Sequence, residues 1–169
     1  AGLGARDIVR VGDASAGVLG EDLMFGETPG IQQRLEGGRS ETKAVVGVME
    51  VPQEEGKRYG IISGAGNAPG VFDVKTLVEK PEVNKAPSRM AIIGRYVLTP
   101  HIFSYLENQT PGHGGEIQLT DALQGLADNQ GLLAVKIRGK RFDAGNWAEY
   151  LAANIYFGLQ DEKTQDDLV

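Results

Sequence analysis

Residues 87–100 read PSRMAIIGRYVLTP, and this stretch decides the fold class. Its centre, residues 91–98 (AIIGRYVL), is an apolar, β-type run with the length of a buried strand. Thr99-Pro100 closes the run and opens a capped helix, because proline is tolerated where a helix begins. Ile102, Phe103 and Leu106 follow at helical spacing as its core face. A buried strand feeding into an amphipathic helix is the unit of a layered α/β architecture.

The same alternation extends toward the C-terminus. Residues 111–115 form a glycine-rich loop. Leu119-Thr120-Asp121 opens a helix to about residue 127, with Ala122, Leu123 and Leu126 facing inward. Residues 132–137 read as a strand and residues 148–159 as a last helix. The tail from Gln160 is polar and expected to fray. Toward the N-terminus, Pro81 and Pro87 bracket an irregular segment. Residues 71–78 read as a strand ending at Glu79, 64–70 as a loop rich in Gly, Asn and Pro, 59–63 as a short strand, and 44–51 (AVVGVMEV) as a buried one. Thr28-Pro29 looks like another capped helix start, with Ile31 and Leu35 on one face. Val18-Leu19 ends a short strand that delivers Glu21 and Asp22 to a loop. The expected organisation is one domain over residues 1–159 with a polar tail over 160–169.

The chain has 169 residues, 41% hydrophobic and 24% charged, enough for a real core and close to a globular average. Its net charge of -6 argues against a nucleic-acid surface, which needs clustered Lys and Arg, but leaves room for a small anionic substrate. With no cysteine there is neither a disulfide framework nor a thiolate metal site. No run approaches the roughly 18 apolar residues of a membrane span, and no leader pattern is seen. The expectation is a cytoplasmic protein with neither nucleic-acid nor membrane partners.

Two segments carry candidate chemistry. Val78-Glu79-Lys80-Pro81 sets an anion, a cation and a stiffening proline side by side. Phe142-Asp143-Ala144-Gly145 sets one carboxylate between an aromatic and glycine, just after the basic run 138–141. A sugar phosphate needs a carboxylate for its hydroxyls, an ammonium for its phosphate and a carboxylate for a metal. Read alone, Glu79-Lys80 fits a solvated turn better, and the run 138–141 fits a solvated strand end. His101 reads as a surface or capping residue, and His113 lies in a glycine loop with no carboxylate at zinc spacing. No G-x-S-x-G elbow supports a hydrolase triad.

Residues 50–63 (EVPQEEGKRYGIIS), 78–81, 87–100 and 112–123 (GHGGEIQLTDAL), with 140–154 (KRFDAGNWAEYLAAN) in outline, resemble the bacterial UTP–glucose-1-phosphate uridylyltransferase (UDP-glucose pyrophosphorylase) family. The resemblance runs from about Gly17 to Leu159. It implies a Rossmann-like nucleotidyltransferase fold with a mixed, mostly parallel sheet flanked by helices. It implies that UTP and glucose 1-phosphate give UDP-glucose and pyrophosphate, with Mg²⁺. Residues 87–100 and 112–123 favour the uridylyl branch over the related glucose-1-phosphate thymidylyltransferases.

Carried over by position, Gly60 resembles the backbone contact to the sugar, Glu79 the carboxylate on glucose hydroxyls, and Lys80 the ammonium on the sugar phosphate. Ile92 or Ile93 lines the sugar pocket. Asp143 resembles the Mg²⁺ carboxylate; Lys80 and Asp143 are thus the candidate catalytic pair. The second metal carboxylate is Asp in the family, and here the aligned position is Glu21, with Asp22 beside it. Gly2-Leu3-Gly4 resembles the loop on the uracil, with Gly2 as its contact. Gly145-Asn146-Trp147 stands where the family has Gly-Asp-Lys. The glycine-rich G-x-G-T-R triphosphate loop has no counterpart. The expectation is therefore a C-terminal portion of the enzyme, inactive or weakly active alone and of marginal stability or self-associating; the family commonly forms dimers or tetramers. The alternatives are a non-catalytic homologue retaining at most a sugar-phosphate pocket and a glucose-1-phosphate thymidylyltransferase-like enzyme.

Overall fold

A computed structural model of the chain describes residues 14–30, 32–33, 43–112 and 115–168. Among the described residues the elements with defined bounds are, in chain order, β1 (Ser15–Val18), β2 (Asp22–Phe25), β3 (Ala44–Glu50), β4 (Gly60–Ala68), β5 (Val71–Glu79), β6 (Met90–Leu98), α1 (Ile102–Glu107), α2 (Leu119–Asn129), β7 (Leu132–Lys136), β8 (Lys140–Asp143) and α3 (Trp147–Gln160). A 3-10 turn, Gln53–Arg58, links β3 to β4.

The stretch that opened the reading lies at the heart of the sheet. Strand β6 pairs with β1, β3 and the start of β4. The six-stranded sheet runs β1-β6-β3-β7-β5-β4. It is mixed, as the resemblance implied. The expectation of a mostly parallel sheet is corrected for the described ladders, where β3–β7 is the parallel pair and the others are antiparallel. Long apolar runs form β3 and β6 because both faces of the sheet are covered. On one face Val46, Val48, Ile62, Ile92 and Leu132 pack against Ile102, Leu106, Leu123 and Leu126 of α1 and α2. On the other, Val45, Ile93, Leu133 and Ile137 form a second cluster.

Strands β2 and β8 form a separate two-stranded ribbon. Helix α3 holds it through an aromatic cluster: Tyr156 packs on Phe25 and Phe142 with ring centroids 5.1 and 5.3 Å apart. The Lys140 ammonium sits 4.2 Å from the Tyr156 ring centroid, within cation–π range. Asn146 caps α3, its side chain accepting from the backbone N–H groups of Ala148 and Glu149.

Four local expectations need correction. Residues 64–70 are not a loop: β4 continues to Ala68 and only Pro69-Gly70 turns. The glycines belong to a bulged ladder, with register shifts beside Gly64 and Gly66; a Cβ on Gly64 would collide with the Asp73 backbone. Thr99 does not cap α1. Its buried hydroxyl has no partner among the described residues, and Ile102 N–H bonds the Thr99 carbonyl instead. The run 138–141 is solvated only in part: residues 138–140 are exposed as expected, but Arg141, in strand β8, turns inward. The tail is polar and exposed but not irregular: Thr164 Oγ1 donates to the Gly158 carbonyl at 2.7 Å, ahead of a 3-10 turn at Gln165–Asp167.

A helix does begin beside Thr28-Pro29, but one residue later than expected: Gln33 N–H bonds the Pro29 carbonyl at 3.1 Å, which makes Pro29 rather than Thr28 the residue before the first turn. Ile31, Leu35 and His113 lie outside the described residues. No helix among the described residues is long and apolar enough to cross a membrane.

Candidate functional site

Three strand junctions converge on one cleft. The first is the β4–β5 ladder, in which Gly60 stands opposite Glu79. The Glu79 carboxylate accepts a hydrogen bond of 2.5 Å from Thr120 Oγ1, at the start of α2. Gly60 permits this arrangement. A Cβ there would lie 3.0 Å from Thr120 Oγ1, 3.2 Å from the Glu79 carboxylate and 3.5 Å from Ile92 Cδ1, so the backbone is bare where these groups meet.

The second is the end of β5. Lys80 has φ 45°, and among the described residues it is the non-glycine residue in the left-handed region. Its N–H bonds the Tyr59 carbonyl at 3.0 Å. Its ammonium lies 3.8 Å from Glu79 and the side chain is half exposed. A left-handed lysine is unfavourable, and such strain concentrates at ligand sites.

The third is the β2–β8 ribbon, where Asp22 and Asp143 stand directly opposite one another. Asp22 is buried and paired with Arg141. Arg141 also donates to Tyr59 Oη at 3.0 Å. Burial pushes the Asp22 carboxyl above its ordinary range, and Asp143 adds to the rise, although Arg141 and Arg95 pull it down. Gly94, at φ +39°, leaves the space that the Asp22 carboxylate and Leu19 fill. Asp143 accepts from Arg58 Nη2 at 2.6 Å and from Gly145 N–H at 2.9 Å. Its own N–H donates to Glu149 at 2.8 Å. Desolvation works against the charge on Arg58, but Tyr59, Asp143 and Glu149 outweigh it and hold the guanidinium above its ordinary value.

These junctions bound a cavity of about 500 Å³. Glu21, Asp22, Gly60, Glu79, Lys80, Ile92 and Asp143 all line it. The acidic-basic stations picked from the sequence therefore meet in space. Ile92 faces the cavity while Ile93 belongs to the opposite core. Gly2 lies outside the described residues. Trp147 does not line the cleft; it is 86% exposed and packs edge-on against Tyr150.

Arg58, Tyr59 and Thr120 also line the cleft and were not singled out by sequence, and Arg141 and Asn146 line it from segments that were marked without a site role for either. Thr120 read only as part of a helix start. Arg141 could have been found: within a strand, residues i and i+2 share a face, which puts Arg141 beside Asp143.

Residues 3–157 match the protein-family profile described as nucleotidyl transferase. The chain belongs to the nucleotidyl transferase family. Among its relatives, this nucleotidyl transferase chain is 44% identical over 160 residues to the UTP–glucose-1-phosphate uridylyltransferase of Bacillus subtilis (strain 168), covering 94% of this chain and 55% of that protein. It superposes on a UDP-glucose pyrophosphorylase complexed with UDP-glucose with a TM-score of 0.86 at 36% identity, over 92% of this chain and 60% of the other. The UTP-bound UGPase from Acinetobacter baumannii gives 0.83 at 32%, over 98% and 57%. The nucleotidyl transferase chain thus spans little more than half the length of the relatives it matches.

Proposed function

We propose that this chain supplies the sugar-phosphate side of a UTP–glucose-1-phosphate uridylyltransferase. One observation carries the reading: Gly60, Glu79, Lys80, Ile92 and Asp143 line a single cavity. The names of the relatives supply the substrate class.

In this reading glucose hydroxyls donate to Glu79, whose carboxylate Thr120 holds in one orientation. The bare backbone of Gly60 lets the sugar ring come close. The Lys80 ammonium neutralises the sugar phosphate, and Ile92 bounds the apolar side of the ring. A phosphate oxygen of glucose 1-phosphate then attacks the α-phosphorus of UTP. The bond to the β-phosphate oxygen breaks and pyrophosphate leaves. Positioning and charge neutralisation provide most of the acceleration in such transfers.

Mg²⁺ belongs to the same proposal. Among the described residues no cluster of three or more His, Cys, Asp or Glu is set for a metal. Mg²⁺ usually keeps several waters and needs only one or two carboxylates, so the facing pair Asp22 and Asp143 fits it in donor type. Asp143 would be the main ligand, with Asp22 or Glu21 the second. Asp22 is favoured, because it faces Asp143 across the ladder. When bound, the ion would stabilise negative charge on phosphate oxygens.

Self-association and a cytoplasmic setting complete the proposal. Trp147, Leu151, Ile155 and Leu159 form an exposed apolar ridge along α3, which a second copy of the chain would cover. Sedimentation that stays monomeric at high concentration would remove that part.

The test is calorimetric binding of glucose 1-phosphate together with pyrophosphate release from UTP and Mg²⁺. The wild-type chain is expected to bind the sugar phosphate, and Lys80→Ala to weaken binding at least tenfold. Equal binding by both would overturn the assignment of Lys80; no binding by the wild type would overturn the site. Binding without turnover would mark the chain as a sugar-phosphate module.

A further inference from the structure

We infer that Arg58 is the exchangeable counter-ion of Asp143: it holds the carboxylate when no divalent cation is bound, and swings onto Glu149 when one arrives. The inference rests on the proposed role of Asp143 as a metal ligand.

The two acids of the β2–β8 ribbon each carry an arginine, but the arginines are not equivalent. Arg141 is 12% exposed in its side chain, and its partner Asp22 is 5% exposed. Arg141 is further fixed by Tyr59 Oη and stacks over the Tyr59 ring, 4.9 Å from its centroid. Moving it would strip a buried carboxylate of its cation. Arg58 is 34% exposed and ends the 3-10 turn Gln53–Arg58.

Arg58 also has a second acceptor in place. Its Nη2 lies 2.6 Å from Asp143, and its Nη1 lies 3.5 Å from Glu149. Glu149 is itself anchored, accepting the Asp143 N–H at 2.8 Å. A small rotation of the guanidinium therefore exchanges one carboxylate for the other without leaving the charge unpaired. Arg58 holds Asp143 Oδ2 while Oδ1 accepts from the Gly145 N–H, and Asp143 lines the cavity, so Oδ2 is the oxygen that a departing Arg58 would free. A divalent cation and Arg58 would thus compete for one oxygen. The two arginines offset the charges of the facing carboxylates, at the cost of weaker metal binding.

The competition has a measurable sign. The pair is partly buried, Arg58 being 34% and Asp143 15% exposed, and removing this competitor should tighten metal binding by about two- to fivefold. The experiment titrates Mn²⁺ into the wild-type chain and into Arg58→Gln, Lys57→Gln and Asp143→Asn, reading bound metal by electron paramagnetic resonance. Lys57→Gln deletes the same charge from the neighbouring exposed residue and should leave affinity unchanged. Arg58→Gln should bind more tightly, and Asp143→Asn should lose the site. Arg58→Gln matching wild type while Asp143→Asn loses binding overturns the exchange and leaves Asp143 a ligand. Asp143→Asn binding like wild type, or no Mn²⁺ uptake by any variant, overturns both. Equal tightening by Lys57→Gln reduces the effect to general electrostatics and overturns it as well. Should Arg58→Gln fail to fold, the wild-type Arg58 guanidinium NMR signals decide: they should shift on saturation with Mg²⁺, and unchanged signals overturn the proposal.

Discussion

Asp22 and Asp143, drawn from opposite ends of the chain, face one another as partners in the β2–β8 ladder. Like charges directly opposite destabilise an antiparallel pair. The ribbon tolerates them because Arg141 lies against the first and Arg58 against the second. The closer and more buried pair, Asp22–Arg141, is a structural commitment.

Arg141→Met should therefore be costly. It leaves a buried carboxylate unpaired and removes the bond to Tyr59 Oη, so a loss of about 3 kcal/mol is expected in urea unfolding. Adding Asp22→Asn should recover a large part of that loss. Additive effects in the double variant would mean that the pair is not coupled.

Thr120→Val tests the orientation of Glu79. The replacement keeps the buried volume and deletes the 2.5 Å hydrogen bond to the carboxylate. Stability should fall by about 1–2 kcal/mol and glucose 1-phosphate affinity by about tenfold, while Thr120→Ser should keep most of both. Unchanged affinity in the valine variant would show that Glu79 is held by other contacts.

Lys80→Gly separates strain from binding. The left-handed backbone at Lys80 disfavours any side chain by about 1–2 kcal/mol, while glycine costs about 0.5–1 kcal/mol in chain entropy. Stability should hold or rise slightly as sugar-phosphate binding is lost. A clear drop in the thermal midpoint would mean that the lysine side chain, rather than the ligand, sustains this conformation.

The layered core was legible from the sequence because apolar runs such as residues 91–98 are buried on both faces. The cleft was legible only in part. Glu79, Lys80 and Asp143 stood out as adjacent charges or by resemblance. Strand alternation could place Arg141 on the face of Asp143, but its pairing with Asp22, like that of Arg58 with Asp143, joins residues distant in the chain and has no local pattern. The glycines of 64–70 misled for a related reason: a bulged strand and a loop share the same residues, and only the facing strand β5 decides between them.

Asp22 also sets a pH dependence. Its carboxyl titrates above the ordinary value of 3.8 because burial outweighs the pull of Arg141. Between those two values the folded chain binds more protons than the unfolded one, so stability falls as pH rises. The contribution is full below the ordinary value and is lost as pH passes the folded value. Asp22→Asn removes this slope, since asparagine does not titrate. Urea unfolding of both proteins from about pH 3.5 to 6 isolates it, because the other carboxylates cancel in the difference. The wild-type stability minus that of the variant should decline as pH rises through this window. A difference that grows instead would mean that attraction to Arg141 exceeds the penalty of burial.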